Sequence, residues 1–292
     1  MNWYHLTINW VYLALLSALF FGLAPVFLKA SLKRTKVWVS MASAVTVQTI
    51  LLLAFYPGKA AGFFTAFRGR TMKSWLLLIL IAIVFFLSTA FFFLSLQKGG
   101  LSRSLSLFSL RTLLLPILFY FLFQETMAAK NWYALGIALI GLILLLIGGE
   151  GKSEKSWILF SILSLGFNLL GQVLNRFFGL GLDGDFQLAF LSFFSSVLSW
   201  ILLLIQRGGA ELKRVTVYQG FFMAAGGLLS GLAVVFLRQS QSGGQGIVYT
   251  LHGLALPIAI FTAAALLREK LTGRAVLGML FLTVGLMLPN LL

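Results

Sequence analysis

The sequence predicts an all-α membrane protein of ten transmembrane helices, built as two inverted five-helix repeats. Three observations carry this. Of the 292 residues, 60% are hydrophobic and 10% are charged, against about a quarter charged in a soluble domain. The apolar residues fall in ten continuous runs, each near the roughly 20 residues that cross about 30 Å of hydrocarbon. The second half of the chain also repeats the first at a fixed offset. A mean hydropathy of +1.00 excludes intrinsic disorder. Continuous rather than alternating runs exclude a membrane β-barrel. Ten spans take about 200 residues, which leaves no stretch for a separate soluble domain.

The first five runs lie at about Thr7–Leu28, Val37–Tyr56, Trp75–Leu96, Leu101–Phe123 and Trp132–Ile147. The next five lie at about Trp157–Phe178, Phe186–Ile205, Tyr218–Leu237, Gly246–Leu267 and Ala275–Leu292. Most connections are short, so consecutive spans must be antiparallel. The longest, Pro57–Ser74, holds Lys59, Arg68, Arg70 and Lys73 and reads as a surface loop. Met1–Thr7 carries no Lys or Arg, and the run after it is too long for a signal-peptide core.

A shift of 144 residues lays Gly99-Gly100 on Gly243-Gly244, Glu125 on Glu269 and Gly141 on Gly285. Phe92, Gln97, Leu107, Leu110 and Leu122 meet identical residues at the same shift. The expected units are residues 1–149 and 150–292, joined in one integrated membrane domain. An odd number of spans per unit turns the second upside down, the arrangement that secondary transporters use to frame a site near the bilayer midplane.

The chain holds 22 Lys and Arg against 7 Asp and Glu, a net charge of +15. The basic residues are spread over the connections instead of clustering on one face. That distribution points to membrane topology and anionic lipid head groups, and away from nucleic acid. The odd-numbered connections hold 14 of the 22 and the termini and even connections hold 7. This count favours both termini outside. Cysteine is absent, so disulfides and thiolate chemistry are excluded.

Certain residues resemble a known family. Phe21-Gly22 is followed by Lys29, Gln97-Lys98-Gly99-Gly100 precedes a Ser-rich helix start, and Phe123-Gln124-Glu125 precedes Gly136 and Gly141. Arg268-Glu269 with Gly278 and Gly285 repeats the last pattern. This arrangement resembles the ten-helix EamA type of the drug/metabolite transporter superfamily. The sequence departs from it where Phe21 stands for the usual Trp, and where Gln124 and Arg268 stand for the usual Gly. The resemblance implies a transporter of small metabolites, often an exporter. It also suggests that Lys29 points into a cavity; the other reading has Lys29 snorkel to the interface.

Charges within spans are costly and face a cavity or a partner. Arg111 lies near the middle of the fourth span among Ser102, Ser104, Ser106 and Ser109. It either clamps a carboxylate or phosphate with two hydrogen bonds, or bonds the carbonyls of a neighbouring helix. His252 shares a helix face with Tyr249 and Gln245. It either accepts a coupling proton or sits neutral in a helix contact. In the sixth span, Ser161, Ser164, Asn168, Gln172 and Asn175 fall on one face. That stripe turns either to a cavity or to other helices. Pro116 and Pro257 free carbonyls within their spans, to line a cavity or to kink the helix. Glu125 and Glu269 read as caps or gate residues at span ends.

No carboxylate lies mid-span, so an anionic or zwitterionic substrate is favoured over an organic cation. There is no phosphate-binding loop for ATP, no credible metal-ligand set and no cofactor motif. An enzyme would need a clustered acid, base or metal site, and none is visible. The expected protein is a secondary transporter of the cell membrane that moves an amino acid or organic anion by alternating access, with a proton as any coupling ion. Its expected substrate ligands are Arg111, His252, Asn168, Gln172, Asn175, Tyr249 and Lys29. A flippase of a lipid-linked substrate and a non-transporting scaffold are the rival readings. The sequence leaves monomer and homodimer open.

Overall fold

A computed structural model of the chain describes residues 10–33, 35–56, 71–124, 129–148, 155–178, 184–240, 251, 253–269 and 271–291. All regular structure among them is helical. The helices are α1 Trp10–Leu32, α2 Val37–Phe55, α3 Met72–Lys98, α4 Leu101–Ser109, α5 Arg111–Phe123 and α6 Ala129–Gly148. They continue with α7 Ser156–Phe178, α8 Gly184–Ile205, α9 Gly209–Leu212, α10 Val217–Ser240, α11 Ala255–Leu267 and α12 Gly273–Leu291.

Seven candidate spans are long and apolar enough to cross a membrane: α1, α2, α3, the Leu101–Phe123 run, α7, the Phe186–Ile205 part of α8, and α10. Trp132–Ile147 in α6, α11 and Gly273–Gly285 in α12 are shorter apolar helices. The start of the expected ninth run, residues 246–250, lies outside the described residues. The fourth run is one stretch in sequence but two helices in space. At Leu110 the N–H bonds the carbonyl of Leu107, three residues back, at 3.2 Å, so one tightened turn separates α4 from α5.

These helices are apolar inside and out, as lipid requires. Met41, Leu142 and Ile260 are fully buried, while Tyr133, Leu204 and Val217 are largely exposed. Consecutive helices make few contacts. The main pairs instead join distant segments: α6 with α12, α1 with α10, α3 with α7, α2 with α10 and α8, and α1 with α11. Lipid tails are as apolar as Leu, so close packing and polar contacts must hold such pairs together. At the crossing of α6 and α12, a Cβ on Gly141 would lie 2.6 Å from the Gly278 carbonyl oxygen, and one on Gly278 would lie 2.6 Å from that of Gly141. The two backbones touch there. Serine and threonine supply the polar contacts. Ser88 and Ser164 each donate to the other's carbonyl, at 2.9 and 2.8 Å. Ser17 donates to the Ala233 carbonyl at 2.8 Å, and Thr49 to the Ser192 carbonyl at 2.9 Å.

The ends of many helices gather on one face. Lys29, in the last turn of α1, reaches the end of α3, and Glu269, just past α11, reaches the start of α4. Trp157, in the first turn of α7, packs on Gly99. Lys36 pairs with Glu211 of α9 at 3.0 Å, and that hydrogen bond and charge hold the Glu211 carboxyl below its usual range. The ends of α1, α3 and α11, the starts of α2, α4 and α7, and α9 therefore lie on this face, which we call the basic face.

The 144-residue repeat has a backbone counterpart. α5 and α11 start and end in the same register, and α6 and α12 start in it. α5 and α11 both end on a left-handed residue, Gln124 at φ 54° and Arg268 at φ 57°. These are the two positions where the sequence departs from glycine.

Stability measurements check both the crossing and the cap. Gly141→Ala should lower the thermal midpoint, overpacking being worth about 1–3 kcal/mol. Gly136→Ala should not, because nothing lies within 4 Å of its added Cβ. Melting curves of the two purified variants compare them directly. Gln124→Gly should raise the midpoint, since a left-handed residue with a side chain costs about 1–2 kcal/mol. A lower midpoint would contradict the cap geometry.

Candidate functional site

A cavity of about 280 Å³ lies between α2, α3, α7, α8 and α10. Val45, Gln48 and Leu52 come from α2, and Phe85 and Thr89 from α3. Gln172 and Asn175 come from α7, Gln187, Leu188, Leu191, Ser192 and Ser195 from α8, and Val234 from α10. None of these residues is charged. The polar lining is carboxamide and hydroxyl, over apolar walls and one phenyl ring. Such groups both donate and accept, and so suit the uncharged polar parts of a small solute.

The cavity sits away from the basic face. Thr89 lies nine residues before Lys98, about 14 Å along α3. Gln172 lies sixteen residues after Ser156, about 24 Å along α7. The antiparallel run of these helices sets the cavity at mid-depth and beyond, toward the opposite face.

The polar stripe of the sixth span divides along its length. Near the basic face, Ser161 bonds Ser95 and Ser164 bonds Ser88, so both hold α7 to α3. Asn168 follows, 7% exposed, and its Oδ1 has no hydrogen-bond partner among the described residues. Beyond it, Gln172 and Asn175 open onto the cavity. The Asn175 Oδ1 accepts from Gln187 Nε2 across to α8. Along the stripe, hydroxyls bonded to α3 thus give way to carboxamides that line the cavity.

Arg111 opens α5 at the tightened turn. Its guanidinium carbon lies 4.3 Å from the centre of the Phe108 ring and 5.6 Å from that of Phe21. Both distances are within range of a cation–π contact. Phe21 belongs to α1, so Arg111 bridges the first and fourth spans. It does not line the described cavity. Lys29 Nζ donates to the carbonyls of Leu96 and of Gly99, the second at 2.6 Å. Tyr249 and His252 lie outside the described residues, as do Gln245 and Glu125.

Five polar lining residues escaped the sequence reading: Gln48, Thr89, Gln187, Ser192 and Ser195. Gln48 and Gln187 had a signal, a lone carboxamide in an apolar run. The hydroxyls had none, because Ser and Thr also serve as helix contacts throughout the chain.

A bundle of long, outward-apolar helices joined by serine contacts is an integral multi-pass membrane protein. Residues 8–147 match the EamA-like transporter family. Over these residues the chain is similar to the EamA-like transporters, a family of drug/metabolite type, as the resemblance of its motifs implies. A solved structure described only as a crystal structure of a protein aligns with a TM-score of 0.61 at 15% identity. The alignment covers 94% of this chain and 96% of that one, so the two share a fold. No curated protein matches the chain.

The divided stripe can be tested with cysteine, which the chain lacks. Gln172→Cys should react with a water-soluble thiol reagent, whereas Ser164→Cys should be protected, by roughly the hundredfold that several kcal/mol of local opening would impose. Equal rates would mean that α7 does not divide in this way.

Proposed function

We propose that the protein is a secondary transporter of the cell membrane, moving a small polar metabolite by alternating access. The observation that carries this reading is the asymmetry of the bundle. It is tied shut at the basic face, and a polar cavity lies toward the opposite one. A carrier caught in one state of its cycle has this form. The chain is taken as ten spans in two inverted halves, 1–149 and 150–292. The common register of α5 with α11, and of α6 with α12, supports that.

The proposed substrate is an amino acid or organic anion, and the proposed direction is export. Arg111 holds the anionic group, as the half-buried cation between the first and fourth spans. Gln172, Asn175 and Gln187 hold the uncharged parts. Asn168 carries a buried acceptor that lacks a donor among the described residues, which supports its use in the cycle. Lys29 is engaged at a helix end instead. Tyr249 and His252 complete the proposed site, with His252 as the proton carrier of any coupling.

Counterflow in proteoliposomes tests the reading, using a panel of amino acids, organic anions, uncharged polyols and quaternary cations. An amino acid or organic anion should exchange. Arg111→Gln should weaken its apparent affinity about tenfold or more, the loss of one charge-assisted hydrogen bond. Exchange of cations alone, or an Arg111→Gln protein that behaves as the parent, would overturn the substrate assignment. Exchange of nothing soluble would overturn the solute-carrier reading in favour of a lipid-linked substrate.

A further inference from the structure

We propose that Lys29 and Glu269 are the gate residues of the basic face, each clamping one of the two helix ends that meet at Gly99-Gly100. This rests on the alternating-access reading and assigns its closing contact.

The geometry begins with the turn. Gly99 ends α3 and Gly100 opens α4, both in extended backbone, at ψ 172° and 149°. A helix C-terminus and a helix N-terminus therefore meet across two residues that have no side chain. The first presents unpaired carbonyls and partial negative charge, the second unpaired N–H groups and partial positive charge. The turn cannot cap itself at α4, because Gly100 offers no side-chain acceptor. Gly99 and Leu101 are buried, and buried main-chain groups must find partners within the protein.

The partners come from two other segments. Lys29 Nζ, from α1, donates to the carbonyls of Leu96 and Gly99 at the end of α3. Glu269, from just past α11, accepts from Leu101 N–H at Oε1, 2.8 Å, and from Ser102 N–H at Oε2, 3.3 Å. Each charge sits on the helix end of opposite sign, the favourable arrangement for both. α1 and α11 themselves pack closely, since a Cβ on Gly22 would lie 2.7 Å from the Ala255 carbonyl oxygen. The clamp therefore joins α1, the α3–α4 turn and α11 into one closed unit. It also links the two halves of the chain, because Glu269 and Leu101 are 168 residues apart.

The consequence for the cycle is mechanical. The cavity lies beyond mid-depth, and α3, which lines it with Phe85 and Thr89, ends at this cluster. Opening that face separates the α3–α4 turn from α1 or from α11. Either movement strips a charge from its helix end and leaves main-chain groups unpaired. Removing one charge should shift the population toward the state open at the basic face. A simple Lys29–Glu269 ion pair would close the face too, but it would tolerate exchange of the two residues. A charge matched to a helix end would not.

Single-cysteine labelling in proteoliposomes tests this, with a membrane-impermeant thiol reagent. Ser104→Cys reports the basic face, because Ser104 is fully buried in α4 beside the turn. Thr89→Cys reports the cavity. In the parent background, the thiol of Ser104→Cys should be protected and that of Thr89→Cys reactive. With Glu269→Gln or Lys29→Gln added, labelling of the Ser104→Cys thiol should quicken about tenfold or more, the equivalent of one charge-assisted hydrogen bond, while labelling of the Thr89→Cys thiol slows. The double exchange Lys29→Glu with Glu269→Lys should label like the single variants. Unchanged rates in folded variants, judged by size-exclusion profile, would overturn the proposal. Protection restored by the double exchange would overturn the helix-end matching. Should Glu269→Gln not fold, Glu269→Asp keeps the charge, shortens its reach and should quicken labelling of the Ser104→Cys thiol. Counterflow on the same preparations separates the two readings. Faster labelling of Ser104→Cys in a protein that exchanges no solute upholds the clamp and overturns transport. Unchanged labelling in a protein that transports overturns the clamp alone.

Discussion

Inside a bilayer, every main-chain N–H and C=O must be paired by the protein itself, and the architecture of this chain follows from that demand. Within a helix the demand is met automatically. It becomes a problem wherever a helix ends buried against other helices. The Gly99-Gly100 turn is such a place, with two helix ends of opposite polarity and no side chain of its own. The protein answers with one cation from α1 and one carboxylate from beyond α11. Two of its costly charges are thereby committed to backbone, each on the helix end that suits it. The arrangement brings α1, α3, α4 and α11 together at one face and sets the register of everything attached to them.

The same solvent explains how the helices associate. Apolar burial gives little preference for a neighbouring helix over lipid. Contact therefore depends on small residues that let backbones meet, and on short hydroxyls that reach across. Gly141 and Gly278 do the first, at the crossing of α6 and α12. The reciprocal pair of Ser88 and Ser164 does the second, at the crossing of α3 and α7. Both crossings join segments far apart in the sequence. Helices from early and late in the chain are thus interleaved through their contacts.

Polar residues that line the cavity form the candidate site, and some of them, such as Ser192, Asn175 and Gln187, also join helices. Along α7 the change comes within a few turns, from serines that grip α3 to carboxamides that face open space. Arg111 stands apart from the cavity, stacked on rings from α1 and α4. Aromatic faces help to keep its charge in the bundle.

By itself, the sequence determined the all-helical membrane class and the likeness of residues 8–147 to the EamA-like transporters, because each is written in local composition and in spacing along the chain. Lipid imposes a length and an apolar composition on a span whatever its neighbours. The glycine and glutamate positions likewise survive in register without reference to contacts. The residues of the site were legible only in part. Gln172 and Asn175 stood out against apolar surroundings, but nothing local separated them from Ser161 and Ser164 on the same face. Only the packing of α3 and α8 around α7 decided which of the four are buried and which line the cavity. Glu269 read as a cap or gate residue, yet the helix it caps lies 168 residues away in the other half. Lys29 read as a cavity residue or a snorkelling one and proved to hold a helix end. Tertiary structure decides such pairings, because a charge finds its partner through space, and the periodicity of one helix does not say what its neighbours bring.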